Sequence, residues 1–140
     1  MIKIYEFLPS DLLNFTPRNT VSNEYINAIC TNPNHKAFTL KHKERIVALC
    51  SYVEIKDGVA LASFIPSLFI ASYQRRIVRV LVKLLAYAKK DLKLFRVQMT
   101  VEEGFAKARR FAEVLGFEKE GLLKKYNRKG QNFWLYARIL

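Results

Sequence analysis

Hydrophobic and polar residues follow two different periods along this chain. Alternating or β-favouring runs predict strands over residues 2–7, 37–40, 45–55, 59–65, 94–101, 117–127 and 132–140. Apolar residues at three- and four-residue spacing predict helices over residues 10–15, 23–30, 74–90 and 103–115. The predicted order is βααβββαβαββ, which indicates an α/β chain with a central mixed sheet and helices on both of its faces.

The longest helical signal covers residues 74–90. Its apolar residues recur at helical spacing and form one face, made of Ile77, Val80, Leu81, Leu84 and Ala88. Cationic residues follow another face at four-residue steps, namely Arg75, Arg79 and Lys83. This pattern predicts an amphipathic helix with a buried apolar face and an exposed basic face.

The segments before and after this helix predict the strand directions. Lys56-Asp57-Gly58 is typical of a tight hairpin turn, so the three strands before the helix are expected to form an antiparallel meander. Pro66 should end the last of them, since proline cannot donate to a central ladder. The helix then joins that strand to 94–101, and a helical crossover predicts a parallel pair.

Composition indicates one ordered domain over residues 1–140. The chain is 51% hydrophobic with 5 glycines and 4 prolines, which is the profile of a packed globule. No apolar run reaches the roughly 18 residues that cross a bilayer, and the first residues lack a signal-peptide layout, so we expect a cytoplasmic protein without membrane contact. Cys30 and Cys50 have no metal-ligand spacing, and we expect two buried free thiols and no metal site.

Positive charge is concentrated in the second half of the chain. The net charge is +12; residues 1–70 contain 7 basic and 6 acidic residues, whereas residues 71–140 contain 17 and 6. This asymmetry favours an anionic partner for the second half, such as cofactor phosphates or nucleic acid. A lysine-rich surface that keeps the protein soluble fits the same numbers.

The order of elements resembles the GNAT family of acetyltransferases. The meander, long helix, strand, second helix and closing hairpin occur in the family's order. The stretch Ala108–Gly121, which includes Leu115-Gly116-Phe117, resembles the family's C-terminal signature. Gly116 stands where a helix ends in a left-handed residue. The resemblance implies a GNAT-like fold and transfer of an acetyl group from coenzyme A to an amine or protein acceptor.

A narrower resemblance is to the GNAT-like internal virion proteins of short-tailed bacteriophages. It depends on Asn14-Phe15-Thr16-Pro17, Phe64-Ile65-Pro66-Ser67, residues Phe111 to Gly116, and Arg128-Lys129-Gly130-Gln131. These matches are short, and their spacing supports the resemblance more than any one of them. It implies a phage-encoded protein, in the host cytoplasm or in the virion, with virion or assembly proteins as partners.

The resemblance to GNAT enzymes implies acetyl coenzyme A as cofactor, with its pyrophosphate bound at the start of the long helix. The corresponding residues here are Gln74, Arg75, Arg76, Ile77, Val78 and Arg79. Residues 73–79 contain no glycine, so side chains crowd the close backbone approach that the family's glycines allow. Three arginines still provide donors for phosphate, although an exposed helix face without a ligand fits equally well.

The family's proton donor has no counterpart. In the family a tyrosine four residues before the glycine of the signature protonates the leaving thiolate, and an asparagine eleven residues before it contacts the cofactor. This chain has Ala112 and Phe105 at those positions. We expect Glu54, near the end of the third strand, to be the catalytic base, either directly or through water. Its side chain should face the cleft between the fourth and fifth strands if the strand register is as predicted.

The remaining candidates for site residues each have an ordinary structural interpretation. Glu102 and Glu103 are second choices for the base, and Tyr126 is a candidate acid or a packing residue. His35 and His42 have no partner at a triad or metal-ligand spacing and are interpreted as surface residues. The aromatic and basic residues at the end of the chain are typical of single-stranded nucleic-acid binding or of a core strand; they are Phe133, Trp134, Tyr136, Lys124, Lys125, Arg128 and Lys129.

Two classes of function follow from these patterns. The first is an acetyl-CoA-dependent N-acetyltransferase with a degenerate phosphate loop and without the family tyrosine. The second is a non-catalytic GNAT-like virion, assembly or interaction protein that uses its basic half to bind partners. The missing glycines and tyrosine favour the second class, whereas the family resemblance favours the first, and a fold does not decide between them.

Overall fold

The computed structural model describes residues 1–19 and 21–140. The α-helices in this part of the chain are α1 (Asn23–Thr31), α2 (Gln74–Lys90) and α3 (Ala106–Val114). The strands are β1 (Lys3–Glu6), β2 (His35–His42), β3 (Arg45–Lys56), β4 (Val59–Pro66), β5 (Arg96–Glu102), β6 (Glu118–Leu123) and β7 (Phe133–Ile139). Two 3₁₀ turns, Pro9–Asn14 and Ile70–Tyr73, complete the described elements. The predicted order is confirmed, except that its first helix is a 3₁₀ turn.

The strands form a mixed sheet in the order β1-β2-β3-β4-β5-β7-β6. β4 and β5 are parallel, with Val59 opposite Arg96 and Leu61 opposite Gln98, so the strand direction predicted from the helical crossover is confirmed. The chain divides into two compact units. The first contains residues 1–54 and 62–83, and the second contains residues 55–61 and 84–140.

The first unit has its own apolar core. Phe7, Ile29, Ile46 and Leu49 are buried together, and partly buried residues pack around them, namely Leu12, Phe15, Tyr25, Ala37 and Ile65. β2 pairs antiparallel with β3, as the predicted meander requires, and its other edge pairs antiparallel with β1. This core joins the segment before α1 to one face of the sheet.

Asp11 lies in the first 3₁₀ turn. That turn starts at Pro9, one residue before the predicted helix, because proline favours the first helical position. The Asp11 carboxylate accepts a hydrogen bond from the Leu8 N–H at 2.9 Å and another from the Thr39 hydroxyl at 2.7 Å. Asp11 therefore links the turn to β2.

The predicted faces of α2 are confirmed. Ile77, Val80, Leu81, Leu84 and Ala88 are all buried. Arg75, Arg79 and Lys83 are all exposed. The bounds Gln74–Lys90 are those predicted from hydrophobic spacing.

In the second unit, β5 begins two residues later than predicted. Lys93 adopts a positive φ of 57°, Leu94 is buried, and the strand starts at Arg96. Phe95, expected on the buried face, is instead 70% exposed. The reason is that it precedes the strand, where its ring covers Gly58 in the turn between β3 and β4.

The closing hairpin is shorter than predicted. β6 ends at Leu123 and not at residue 127, because Lys125 turns the chain with a φ of 51° and the Tyr126 N–H bonds to the Gln131 carbonyl at 2.8 Å. Gly116 has a φ of +88°, so its predicted position after α3 as a left-handed residue is confirmed.

Candidate active site

The connection from β4 to α2 is fixed by hydrogen bonds within the first unit. Ser67 is fully buried, its N–H donates to the Val47 carbonyl at 2.9 Å, and its hydroxyl accepts from the Phe69 N–H at 3.1 Å. The segment 16–18 lies alongside, with Arg18 N–H donating to the Pro66 carbonyl at 2.9 Å and Leu68 N–H donating to the Thr16 carbonyl at 3.0 Å. We name this pairing of residues 16–18 with residues 66–68 the entry clasp.

The predicted cofactor residues lie in the first two turns of α2. Gln74, Arg75, Arg76 and Arg79 are exposed, Val78 is half-buried, and Ile77 is buried. The 3₁₀ turn Ile70–Tyr73 leads directly into α2, so the helical segment begins at Ile70. Cationic side chains, more than backbone donors, are therefore what residues 74–79 present to solvent.

Arg76 is held in place by its neighbours. One of its N–H groups donates to the Ser72 carbonyl at 3.1 Å, and its guanidinium lies 4.5 Å from the centroid of the Tyr73 ring. Tyr73 is itself buried, and its hydroxyl lies 2.9 Å from Nδ1 of His42 on β2. A guanidinium stacked in this way loses little further side-chain entropy when it binds an anion.

Glu54 is exposed near the carboxyl end of β3. β3 and β4 are antiparallel neighbours, and Val47 is bonded to Ser67 at the end where α2 begins. Glu54 is seven residues further along β3, which corresponds to about 23 Å at the usual rise per strand residue. The structure therefore places the predicted base and the predicted phosphate residues at opposite ends of the strand pair.

The two positions of the missing family residues lie on α3 in the second unit. Ala112 is fully buried, whereas Phe105 precedes the first helical residue and is 42% exposed. Neither side chain can donate a proton. A tyrosine at position 112 would have to enter a space that Ala112 already fills with no exposed surface, so substitution there does not simply restore a donor.

Glu102 and Glu103 are tied to the loop between β6 and β7. Gln131 Nε2 donates to Glu102 Oε1 at 2.7 Å, and Asn132 Nδ2 donates to Glu103 Oε1 at 3.3 Å. Tyr126 in the same loop is 51% exposed, with its ring 5.5 Å from that of Phe133. These contacts make the loop an ordered feature at the end of β5.

A polar cluster between α1 and the sheet was not predicted. The Tyr25 hydroxyl lies 2.7 Å from Oγ of the buried Ser51, and Nε2 of His35 lies 3.2 Å from the same atom. Burial raises the pKa of Tyr25 to about 12 and lowers the pKa of His35 below its usual 6.5. The three residues come from separate elements without a shared motif, so sequence spacing contained no signal for them.

One prediction of burial is wrong, and two residues interpreted as surface residues are only partly exposed. His35 and His42 are half-buried, because His35 contacts Ser51 on β3 and His42 contacts Tyr73 in the 3₁₀ turn before α2. Cys30 is exposed on α1, whereas Cys50 is buried as predicted and both thiols are free. Burial raises the pKa of Cys50 to about 12, so this thiol is not a nucleophile at neutral pH.

In residues 1–19 and 21–140 no three His, Cys, Asp or Glu side chains are grouped so that they can hold a metal ion. No helix there has the length and apolar character needed to span a bilayer.

Solved structures with the same arrangement are spermidine N-acetyltransferases. A chimera of the Vibrio cholerae enzyme SpeG and hSSAT superposes with a TM-score of 0.79 at 18% sequence identity, over 99% of this chain and 95% of that one. A mutant form of SpeG from Vibrio cholerae superposes with a TM-score of 0.78 at 16% identity, over 99% and 95% of the two chains. The chain has the GNAT fold.

No protein-family model matches the sequence, and no curated protein matches it. At 16% and 18% sequence identity, the structural similarity establishes the GNAT fold but not the reaction. Nothing in these comparisons supports the resemblance to phage virion proteins.

Proposed function

We propose that this chain is an acetyl-CoA-dependent N-acetyltransferase that acts on a primary amine of a small molecule or a protein. The observation that supports this proposal most is the GNAT fold, shared over 99% of the chain with solved structures of enzymes named for acetylating spermidine. An amine as the acceptor is supported by the names of those enzymes and by the resemblance in sequence. A GNAT fold without activity is the alternative that the experiment below addresses.

The exposed residues at the start of α2 fit the charge of a nucleotide cofactor. Arg75, Arg76 and Arg79 are exposed cations within two turns of each other, and guanidinium groups bind phosphate through two parallel hydrogen bonds. We propose that these side chains replace the backbone donors that the family's glycines expose. This substitution predicts weaker and more salt-dependent cofactor binding than a glycine loop gives.

β4 offers a path for the remainder of the cofactor. Among the described residues, the parallel ladder with β5 comprises only Val59, Ala60 and Leu61 of β4, whereas β4 continues to Pro66. We propose that the pantetheine arm runs along Ala62–Pro66. Glu54 and the start of α2 lie at opposite ends of the β3–β4 pair, so a cofactor that reaches both must be extended.

The cofactor, when bound, supplies an acyl thioester. We propose that Glu54 accepts a proton from the acceptor ammonium, which would leave the amine free to form the N–C bond as the C–S bond of the thioester breaks. Because Ala112 stands in the family's acid position and cannot donate, water would take the second proton from the new amide nitrogen and supply one to the leaving thiolate. A slow reaction is therefore expected, since losing one positioned acid costs about 100- to 10,000-fold.

The test is thermal stabilisation by acetyl-CoA, followed by acetyl transfer to a panel of amines. Binding to the native state alone should raise the Tm by roughly 5–10 °C at a hundredfold excess over Kd. Replacing Arg75, Arg76 and Arg79 together by Ala should abolish this shift, because the buried face of α2 is unchanged. The matched control replaces Lys83, Lys89 and Lys90, which removes the same charge from the remainder of the same helix.

Equal stabilisation of the wild type and both triple variants would place the cofactor elsewhere. A wild type that acetyl-CoA does not stabilise at millimolar concentration would overturn the proposed enzyme.

A further inference from the structure

Cationic side chains converge between the β2–β3 turn and the turn that precedes α2. The Arg45 guanidinium lies 4.0 Å from the centroid of the Phe69 ring, and the Arg76 guanidinium lies 4.5 Å from that of Tyr73. Phe69 lies directly before the 3₁₀ turn Ile70–Tyr73, and Tyr73 is the last residue of that turn. Lys43 lies in the hairpin turn itself, with a φ of 56°. We name Lys43, Arg45 and Arg76 the hairpin–helix cluster.

His42 is the common neighbour of this cluster. It is joined to the helical segment through the hydrogen bond with Tyr73 and lies next to Lys43 in sequence. Its pKa is lowered by burial first and then by the positive charges of the Met1 amino group, Arg76, Lys43 and Arg45. Lys43, Arg45 and Arg76 therefore all lie near this one imidazole.

No carboxylate neutralises these charges. Within residues 1–19 and 21–140, none of the three cluster members forms an ion pair. Glu44, the carboxylate of the hairpin, is exposed beside them. Arg76 uses one N–H for the Ser72 carbonyl, so most of its five donors remain for a ligand.

We propose that the hairpin–helix cluster binds the phosphate group of a small ligand. Stacking on Phe69 and Tyr73 fixes two planar guanidinium groups before binding, and such groups recognise phosphate oxygens in pairs. Lys43 adds a third cation from the hairpin turn. Nothing in the established fold assigns a ligand to the β2–β3 turn.

The same contacts disfavour single-stranded nucleic acid as the ligand. Proteins of that class stack bases on exposed aromatic rings, but here Tyr73 is buried, and a guanidinium group lies over one face of the 42% exposed Phe69. The cluster is also confined to one hairpin and one helical turn and does not follow an extended groove. A single phosphate group matches its size.

Two sources can supply that phosphate group. Arg76 also belongs to the residues proposed to bind acetyl-CoA, whose nucleotide part contains phosphates. The second source is an independent small phosphorylated compound or inorganic phosphate. The site is defined by its phosphate chemistry in both cases and does not depend on acetyl transfer.

The test uses inorganic phosphate at constant ionic strength, with NMR of the His42 ring protons as the readout. Phosphate should raise the pKa of His42 in the wild type, because an anion offsets the surrounding positive charges. Arg45→Gln should weaken phosphate binding by about 10- to 100-fold, the value of one charge-assisted hydrogen-bonded pair. Arg45→Lys should restore part of the affinity, and Lys83→Gln, an equal charge loss on the exposed face of α2, should leave it unchanged.

A parallel titration in the presence of saturating acetyl-CoA distinguishes the two sources. Loss of the phosphate effect on His42 identifies the cofactor as the source, and persistence identifies a separate ligand; both support the site. The proposal is overturned if phosphate at tens of millimolar leaves the His42 pKa unchanged, or if Arg45→Gln binds phosphate as tightly as Lys83→Gln. If the protein does not bind acetyl-CoA but phosphate still raises the pKa of His42, the proposed acetyltransferase activity is refuted and the proposed phosphate site is not.

Discussion

The Tyr25 hydroxyl lies 2.7 Å from Ser51 Oγ, and this hydrogen bond connects α1 to the buried middle of β3. Because burial raises the pKa of Tyr25 to about 12, the hydroxyl is protonated at neutral pH. Ser51 also contacts His35, so one buried hydroxyl joins two polar side chains. The contact is a means of fixing α1 on the sheet.

Tyr25→Phe should therefore lower the free energy of unfolding by about 0.5–1.5 kcal/mol, the usual net value of one hydrogen bond. The ring is retained, so the loss is confined to the hydroxyl. Urea denaturation measures it. An unchanged midpoint would show that Ser51 finds another partner at no cost.

Tyr136→Phe provides the matched comparison in the second unit. The Tyr136 residue is 1% exposed, and its hydroxyl has no hydrogen-bond partner among residues 1–19 and 21–140. Removing an unpaired buried hydroxyl relieves a desolvation cost of about 1–3 kcal/mol, so this variant should be as stable as the wild type or more stable. Destabilisation in the same urea experiment would mean that a water molecule satisfies the hydroxyl.

Stability should fall as the pH is lowered from 7.5 to 5.5. Burial lowers the pKa of both His35 and His42 below 6.5, so the unfolded chain takes up more protons than the native one in this range. The contribution of the neutral imidazoles to the free energy of unfolding is fully present above about pH 6.5. It decreases as the pH falls toward the pKa values of the native state. Thermal scans of the wild type, His35→Gln and His42→Gln should show that each substitution flattens part of the slope.

Gly58→Ala should destabilise the second unit for two separable reasons. The glycine has a φ of +77°, which is strained for alanine, and an added Cβ would lie 2.3 Å from Cδ2 of Phe95. We expect a loss of about 1–3 kcal/mol from the backbone strain, increased by the clash with the ring. In a Phe95→Ala background only the strain should remain, so a double-mutant cycle measures the clash.

Glu54→Gln tests the proposed base. If acetyl transfer is observed, this substitution should lower kcat/KM by about 100-fold or more, because the carboxamide cannot accept the ammonium proton. The rate of the wild type should rise with pH as the acceptor amine loses its proton. An undiminished rate in the variant would show that water or another carboxylate accepts the proton; Glu102→Gln is the next variant to measure.

The sequence predicted the fold from its hydrophobic spacing, because each element has a clear period. The bounds of α2 and the left-handed Gly116 follow from local chemistry, and the structure has both. Phe95 was misplaced because alternation cannot show where a strand begins when Lys93 turns the chain just before it. The contacts of Ser51 and of His42 join separate elements, and no local pattern in a single sequence records such contacts.

The site itself was predicted only as far as a family motif extends. Residues 74–79 were identified through their correspondence to a known loop; Gln74, Arg75, Arg76 and Arg79 are exposed on α2, whereas Ile77 is buried, so a binding role for the four exposed residues stays a prediction. The stacking of Arg45 on Phe69 could not be found in this way, because it joins a hairpin to a turn that lies more than twenty residues later in the chain.

The entry clasp has a consequence for the order of folding. The backbone that leads into α2 is bonded to residues 16–18, which are separated from it by α1 and the whole β2–β4 meander. Closing such a long stretch of chain costs entropy that only contacts formed beforehand can offset. We therefore expect the backbone that leads into α2 to acquire its native geometry late, after the meander has formed.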